Sequence, residues 1–256
     1  MNVAVYGPRG RLWALTEQRI DDADREASAL SLGRSSMRWE GDRLVVDLDE
    51  VTSPFPRAVP QRVRGRVTFR PGGVGQASFP LDDAGLHTWW PVAPMGRIEV
   101  ELSEPGVRFT GHGYHDANAG DTPLESAFSR WSWSRARVGD HGAAITYDVI
   151  DRRGRERSLA LEIHRADGGV AKVLPVPVAS PEPLPATLWR LPRSARTEGH
   201  APRVHRELED GPFYARTLVE TRLGGRSVIA MHETMSLDRL AQGWVRFLLG
   251  FKIGRA

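Results

Sequence analysis

The chain has 256 residues, 40% of them apolar and 26% charged, with a formal net charge of +3 and no cysteine. That length suits one large or two small units, and the lack of cysteine rules out disulfides, thiolate nucleophiles and cysteine zinc sites. Lys172 and Lys252 are the only lysines, and acidic residues are interspersed among the arginines, which is the pattern of a mixed solvated surface and not of a nucleic-acid-binding element.

No apolar run reaches the roughly 18 residues of a membrane-spanning helix, and Met1 to Tyr6 lack the basic and apolar regions of an export signal, so cytoplasmic residence is expected. In chain order, period-2 segments dominate, as expected for strands. Leu44 to Leu48 follows the turn Glu40-Gly41-Asp42. From Gln61 to Arg70, Val63, Gly65, Val67 and Phe69 share one face, while Arg62, Arg64, Arg66 and Thr68 share the other. Arg97 to Leu102 alternates strictly and sets Ile98, Val100 and Leu102 against charges. Val107 to Asp116 follows the turn at Pro105-Gly106.

The second half continues in the same way. Ala143 to Ile150 and Ser158 to His164 flank a turn at Asp151-Arg152-Arg153-Gly154, and a further turn is expected at Ala166 to Gly169. The proline cluster Pro175 to Pro185 reads as a connecting segment, because proline cannot donate to a central ladder. Val204 to Leu208, Tyr214 to Leu223 and Ser227 to Thr234 are further strands. Pro123 to Arg130 suits a turn or two of helix. Ser236 to about Phe251 suits a C-terminal helix, with Ser236 as its cap and Leu237, Leu240, Trp244, Phe247, Leu248 and Phe251 at helical spacing. The reading is an all-β protein of barrel or sandwich type with a C-terminal helix. A break near residues 136–142 divides it into β-domains 1–138 and 139–256.

Chemistry-bearing side chains concentrate between residues 84 and 135. In an extended chain His87 and Trp89 share a face, with Thr88 and Trp90 opposite. On the later strand His112, Tyr114, Asp116 and Asn118 share a face, flanked by Gly111 and Gly113. Trp131 and Trp133 form a third period-2 pair, in a segment that ends at Arg135. Three strands offering such groups to one side suggest the lining of a pocket. His112 and His115 lie on opposite strand faces and do not easily share one metal ion, so no metal is expected. There is no Gly-x-Ser-x-Gly elbow, phosphate loop or dinucleotide fingerprint. Composition and spacing stop at an aromatic pocket with an acid in it.

The segment Gly113 to Glu125, with its Tyr114-x-Asp116-x-Asn118-x-Gly120 pattern, and the downstream Trp131-x-Trp133-x-Arg135-Ala136 resemble the carotenoid 1,2-hydratase family, also called hydroxyneurosporene synthases. So do Asn2 to Tyr6, His87 to Pro91 and the tail from His232-Glu233-Thr234 through Leu237-Asp238-Arg239. The likeness covers nearly the whole chain. It implies two lipocalin-like β-domains, no cofactor, and cofactor-independent addition of water to the C1=C2 bond of an acyclic carotenoid such as neurosporene or lycopene. It also implies catalytic roles for His87, Trp89, Tyr114 and Asp116. Residue 119 is Ala where the family leads us to expect an aromatic, which implies a wider pocket there. Family members also tend to carry extra residues before the segment matching Asn2.

The resemblance sets an expected mechanism. Asp116 protonates C2, Trp89 with Trp131 or Trp133 stabilises the cation, Tyr114 orients Asp116, and His87 holds the attacking water and takes its proton. Trp90, His112, Asn118, Trp131, Trp133 and Arg135 are the expected substrate-binding residues. The C-terminal helix, with Trp244, Phe247, Leu248, Leu249, Phe251 and Ile253 interleaved with Arg246, Lys252 and Arg255, suits peripheral contact with the inner or photosynthetic membrane. A non-catalytic lipocalin-like carrier and a related cyclase are the alternatives.

Overall fold

Strict alternation along a chain rich in valine, threonine and arginine builds strands, since successive residues of an extended backbone face opposite ways. The computed structural model describes residues 1–256 except 9, 20, 22, 54–58, 140, 141, 166–168, 251, 252 and 256. The first elements are β1 (Asn2–Gly7), β2 (Gly10–Glu17), β3 (Ala23–Arg25), β4 (Ala29–Leu32), β5 (Ser35–Glu40), β6 (Arg43–Val51) and β7 (Arg62–Pro71). Then come β8 (Val74–Gly75), β9 (Phe79–Pro80), β10 (His87–Glu104), β11 (Val107–Gly120), α1 (Leu124–Ala127), β12 (Phe128–Val138), β13 (Gly142–Asp151) and β14 (Glu156–Arg165). The chain continues through β15 (Val170–Pro175), β16 (Ser180–Pro183), β17 (Ser194–Thr197), β18 (Arg203–Asp210), β19 (Tyr214–Leu223) and β20 (Arg226–Ser236). It closes with α2 (Leu237–Leu240), α3 (Gly243–Gly250) and β21 (Ile253–Arg255).

Two compact units form, and both are discontinuous in sequence. The first comprises Met1–Pro71, Gly96–Tyr114 and Arg246–Ala256, and the second Gly72–Met95 and His115–Val245. This division differs from a cut after residue 138. Val138 pairs with Gly142 across the β12–β13 hairpin, inside the second unit. The long strands β10 and β11 each pass from one unit to the other, which a search for linkers along the chain does not reveal.

In the first unit, β1, β2 and β21 form a small sheet, and β3 to β7 continue the order of a larger sheet that ends in β10 and β11. Leu48, Val63, Val100 and Leu102 are buried between them, with Val3, Val5 and Leu12 of the small sheet packed on top. The expected apolar faces of β7 and β10 are therefore the core faces. Arg66, on the opposite face of β7, makes two bonds to Asp47, from Nε at 2.7 Å and from Nη2 at 3.1 Å. The buried Glu50 accepts from the hydroxyls of Thr16 and Ser35, which ties β2 and β5 to β6. Gly65 has φ +147°, and a Cβ there would lie 2.1 Å from the Glu101 carbonyl oxygen. Only glycine suits that close crossing beside the irregular register of β10 at Leu102 and Glu104.

The second unit is built on one sheet in the order β18-β19-β20-β12-β13-β14-β15-β8. Its two faces differ. One row runs through Tyr147, Trp133, Glu233 and Arg216 on four adjacent strands, set by the register of each pair. The row next to it along the strands, on the other face, runs through Thr146, Ser134, His232 and Thr217, all four buried. These polar groups are bonded. His232 Nδ1 lies 2.7 Å from Ser134 Oγ and Nε2 lies 3.0 Å from Thr234 Oγ1. Arg193, whose side chain is 1% exposed, bonds Glu207 and Thr217. Such partners are what make burial of polar groups tolerable.

Two local expectations change. The proline cluster holds a short strand, because β16 pairs with β17 in an isolated two-stranded ribbon where its prolines sacrifice no central ladder. The C-terminal helix is two helices, α2 and α3. Ser236 caps α2 as expected, its hydroxyl accepting from Arg239 N at 3.3 Å. α3 begins at Gly243, a residue with low intrinsic preference for a helix interior. Phe251 and Lys252 lie outside the described residues, as do most of the expected turn residues at 166–169. Among the described residues no helix is long and apolar enough to cross a membrane.

Candidate functional site

The site grows from the start of β10 and the end of β11. Burial class alternates at His87, Thr88, Trp89 and Trp90, so that His87 and Trp89 are buried while Trp90 is 38% exposed. The Trp89 indole Nε1 donates to Asp116 Oδ2 at 2.8 Å. Its ring packs on Phe79 at 5.9 Å and on Tyr147 at 5.3 Å between centroids. Trp131 continues the aromatic row, 6.1 Å from Tyr147 and 6.4 Å from Tyr214. The Tyr147 hydroxyl donates to Asn118 Oδ1 at 3.4 Å, a long bond.

A second acid stands at the Tyr214 end of this row. Arg216 places both Nε and Nη2 at 2.8 Å from Glu233 Oε1. Its guanidinium also lies over the Tyr214 ring, 5.7 Å from the centroid. Burial pushes the Glu233 carboxyl above the usual glutamate range. Arg216 and a hydrogen bond from Tyr214 oppose that rise, and the charge of Asp116 adds to it. Burial likewise raises the phenol of Tyr147, with the charges of Asp116 and Glu233 acting in the same direction. Tyr147 therefore lies in the field of both carboxyls. His115, beside Asp116, is held below the usual histidine range by burial, and the nearby Asp116 charge only partly offsets this.

His87 is clamped. Nδ1 lies 2.8 Å from Asp82 Oδ2, and Nε2 lies 2.9 Å from the Thr122 carbonyl oxygen. Asp82 sits below the usual aspartate range; burial would raise it, but the His87 bond and backbone N–H donors outweigh that. Phe128 meets the imidazole edge-on at 5.0 Å. Both ring nitrogens thus face acceptors, which leaves neither to hold a water molecule as a base.

The other expected residues divide. Asp116, Trp89, Asn118 and Trp131 come together, and Trp133 occupies the row between Tyr147 and Glu233. Trp90 instead donates to the Gly75 carbonyl at 2.7 Å. Arg135 is committed to the Pro94 carbonyl oxygen through Nε at 3.0 Å and Nη2 at 2.9 Å. Tyr114 and the exposed His112 lie on the part of β11 that belongs to the first unit. Sequence reasoning missed Asp82, Tyr147, Tyr214, Arg216 and Glu233. A signal existed for the last of these. Met231, Glu233 and Met235 share one face of a strand, and an acid on an otherwise apolar face calls for a partner or a task.

The fold and site define an all-β, lipocalin-like protein with an acid-bearing aromatic row on one sheet face. The fold resembles that of a solved structure described as an AttH protein of Nitrosomonas europaea, with TM-score 0.58 over 88% of this chain and 75% of that chain, at 12% identity. The family model for the carotenoid hydratase CrtC matches residues 1–256, and the chain belongs to that family. It is 44% identical to an acyclic carotenoid 1,2-hydratase of Thiocapsa roseopersicina, over all of this chain and 61% of the relative. The same-named protein of Rubrivivax gelatinosus is 41% identical, again over 61% of its own length. That of Cereibacter sphaeroides is 36% identical, with 88% of it covered. The chain thus spans about three fifths, 61%, of the first two relatives.

Proposed function

We propose that this chain is a hydro-lyase that adds water across the C1=C2 bond of an acyclic carotenoid, without a cofactor. The observation that carries the reading is the Asp116 carboxyl held by Trp89 at 2.8 Å, at one end of an aromatic row of Trp89, Tyr147, Trp131 and Tyr214. Membership of the carotenoid hydratase family supports the reaction type. Hydration of a trisubstituted alkene needs a proton on C2, a tertiary cation at C1, and water. Asp116 donates the proton. The indole and phenol rings stabilise the cation through their π faces, about 0.5–2 kcal/mol for each well-placed ring. His87, with both nitrogens engaged, positions Asp82 and the Thr122 backbone around the entry to β10.

The test is incubation of the purified protein with dispersed neurosporene or lycopene, followed by mass analysis of the pigment. Hydration adds the mass of one water per reacted end, and Asp116→Asn abolishes the gain. A bound pigment of unchanged mass and unchanged spectrum identifies a carrier, and a ring-closed product of unchanged mass identifies a cyclase.

The substrate is insoluble in water, so it is taken from a membrane. Trp189 and Trp244 stack at 6.1 Å and are 42% and 47% exposed, beside Leu188 at 88%. Phe247 and Leu248 of α3 are exposed too, whereas Val245 is buried. These residues support peripheral contact with the cytoplasmic face of the membrane. Replacing Trp189 and Trp244 together by serine should shift the protein from the liposome-bound to the free fraction. Unchanged partition would reject this contact.

A further inference from the structure

Hydration needs a group that removes a proton from water as well as one that supplies a proton to carbon. His87 was the expected base, but its Nδ1 faces Asp82 and its Nε2 faces the Thr122 carbonyl. We infer that Glu233 is the catalytic base of the site, taking the proton released when water attacks C1 opposite the proton donor Asp116. This rests on the hydration reading given above.

Position comes first. Glu233 and Asp116 adjoin one set of aromatic rings, Glu233 beside Trp133 and Trp133 beside Tyr147, near enough for the Asp116 charge to act on Glu233. Asp116 is bonded to Trp89, Trp89 packs on Tyr147, Tyr147 on Trp131, and Trp131 on Tyr214, whose hydroxyl bonds Glu233. The charge of Asp116 is felt at Glu233, so the two carboxyls serve one site, with the C1=C2 end of the substrate between them.

Pairing assigns the roles. A guanidinium holds Glu233 through two nitrogens at 2.8 Å, which favours the carboxylate. The donor that reaches Asp116 is a neutral indole N–H, and the adjacent His115 is disfavoured as a cation by burial. In the reactive form Glu233 is the carboxylate that Arg216 holds, and the proton donor is the Asp116 of the hydration reading. The groups facing Glu233 are Arg216 and Tyr214 from β19 and the charge of Asp116 from β11. Burial makes Glu233 a stronger base than an exposed glutamate, and a base works best when its pKa approaches the working pH.

The step balances. The alkene π pair takes the Asp116 proton to form the C2–H bond and leaves C1 cationic. A water lone pair forms the C1–O bond, and the Glu233 carboxylate removes one proton from the resulting oxonium. Glu233 then releases that proton to water and Asp116 takes one from water, which restores both groups. Alkene and water become a tertiary alcohol with no change of oxidation state overall.

The experiment is turnover of neurosporene in D2O by the wild-type chain, Glu233→Gln and Asp116→Asn, with hydrated product and deuterium in recovered substrate both measured by mass. Glu233→Gln should lose hydration by about 100-fold or more. It should still exchange deuterium into C2 of recovered alkene, since protonation and its reversal need only Asp116. Asp116→Asn should lose both. Hydration by Glu233→Gln within threefold of wild type overturns the inference, as does loss of exchange in folded Glu233→Gln. If Glu233→Gln does not fold, the pH–rate profile of Arg216→Gln decides. Removing the guanidinium raises the proton affinity of Glu233, so the acid limb of hydration should move to higher pH, and an unmoved limb overturns the role. Wild-type protein that never adds water rejects the hydration reading itself, which is a different result from an active wild type with an indifferent Glu233→Gln.

Discussion

The Trp89 indole N–H and the Asp116 carboxyl meet at 2.8 Å although they are 27 positions apart, on the neighbouring strands β10 and β11. The bond fixes the carboxyl while the same indole ring offers its face to Tyr147. Trp89→Phe keeps a ring and removes the N–H. We expect hydration to fall about tenfold, the worth of one hydrogen bond to a carboxyl group, against about 10²–10⁴-fold for Asp116→Asn. Steady-state turnover of both variants checks the order. Undiminished turnover of Trp89→Phe would show that the ring, and not the bond, is what Trp89 supplies.

His87 should behave as a scaffold. His87→Leu removes two bonds and leaves the mostly buried Asp82 carboxylate without its imidazole, at a cost of about 2–4 kcal/mol. Gly120→Ala presses on the same ring, because a Cβ at residue 120 would lie 2.6 Å from His87 Cδ2, and it should cost about 1–3 kcal/mol. Denaturant midpoints of the two single variants and the double variant should be clearly non-additive, as for groups in contact. Additive losses would mean that Gly120 acts elsewhere.

Stability should fall in mild acid through His232. Burial holds this imidazole down at about 4, with the Arg193 charge helping and Glu207 opposing. The unfolded chain, with an ordinary histidine, binds the proton first on acidification. Stability is therefore full above about pH 6.5 and is lost as the pH falls towards 4, by up to about 3 kcal/mol. Melting temperatures between pH 7.5 and 4.5 should drop more steeply for wild type than for His232→Gln. Parallel curves would assign the acid sensitivity to other groups.

Arg193 is the riskiest single truncation on the polar sheet face. Its side chain is 1% exposed and bonds Glu207, Thr217 and the Pro185 carbonyl. Arg193→Met removes these bonds, but the Glu207 side chain is 42% exposed and stays hydrated, so the cost should be about 1–3 kcal/mol, and Arg193→Met with Glu207→Leu should recover part of the loss. Chemical denaturation of both variants measures this. A double variant no better than the single would make the packing of Arg193, not its charge, the important property.

Alternation along the chain was enough to place most strands and their core faces, because a strand's two faces are a local property. Val63, Val100 and Leu102 are buried as their positions predict, and β19 spans the expected residues. The same alternation set His87 and Trp89 on one side and Trp90 on the other, which the structure keeps. It did not show that β10 is one continuous strand shared by two units, nor that Gly243 starts a separate helix.

The Trp89–Asp116 pair shows where local information ends. The sequence by itself determined which side chains share a strand face, and its family motifs named the reaction to test. Only the tertiary structure decided that Trp89 bonds Asp116, that His87 bonds Asp82 and Thr122, and that Tyr147, Tyr214 and Glu233 share one sheet face. The reason is physical. Side-chain direction follows from backbone geometry one residue at a time, whereas cross-strand neighbours such as Trp133 and Glu233 follow from strand order and register. Those are settled by packing among residues far apart in the chain.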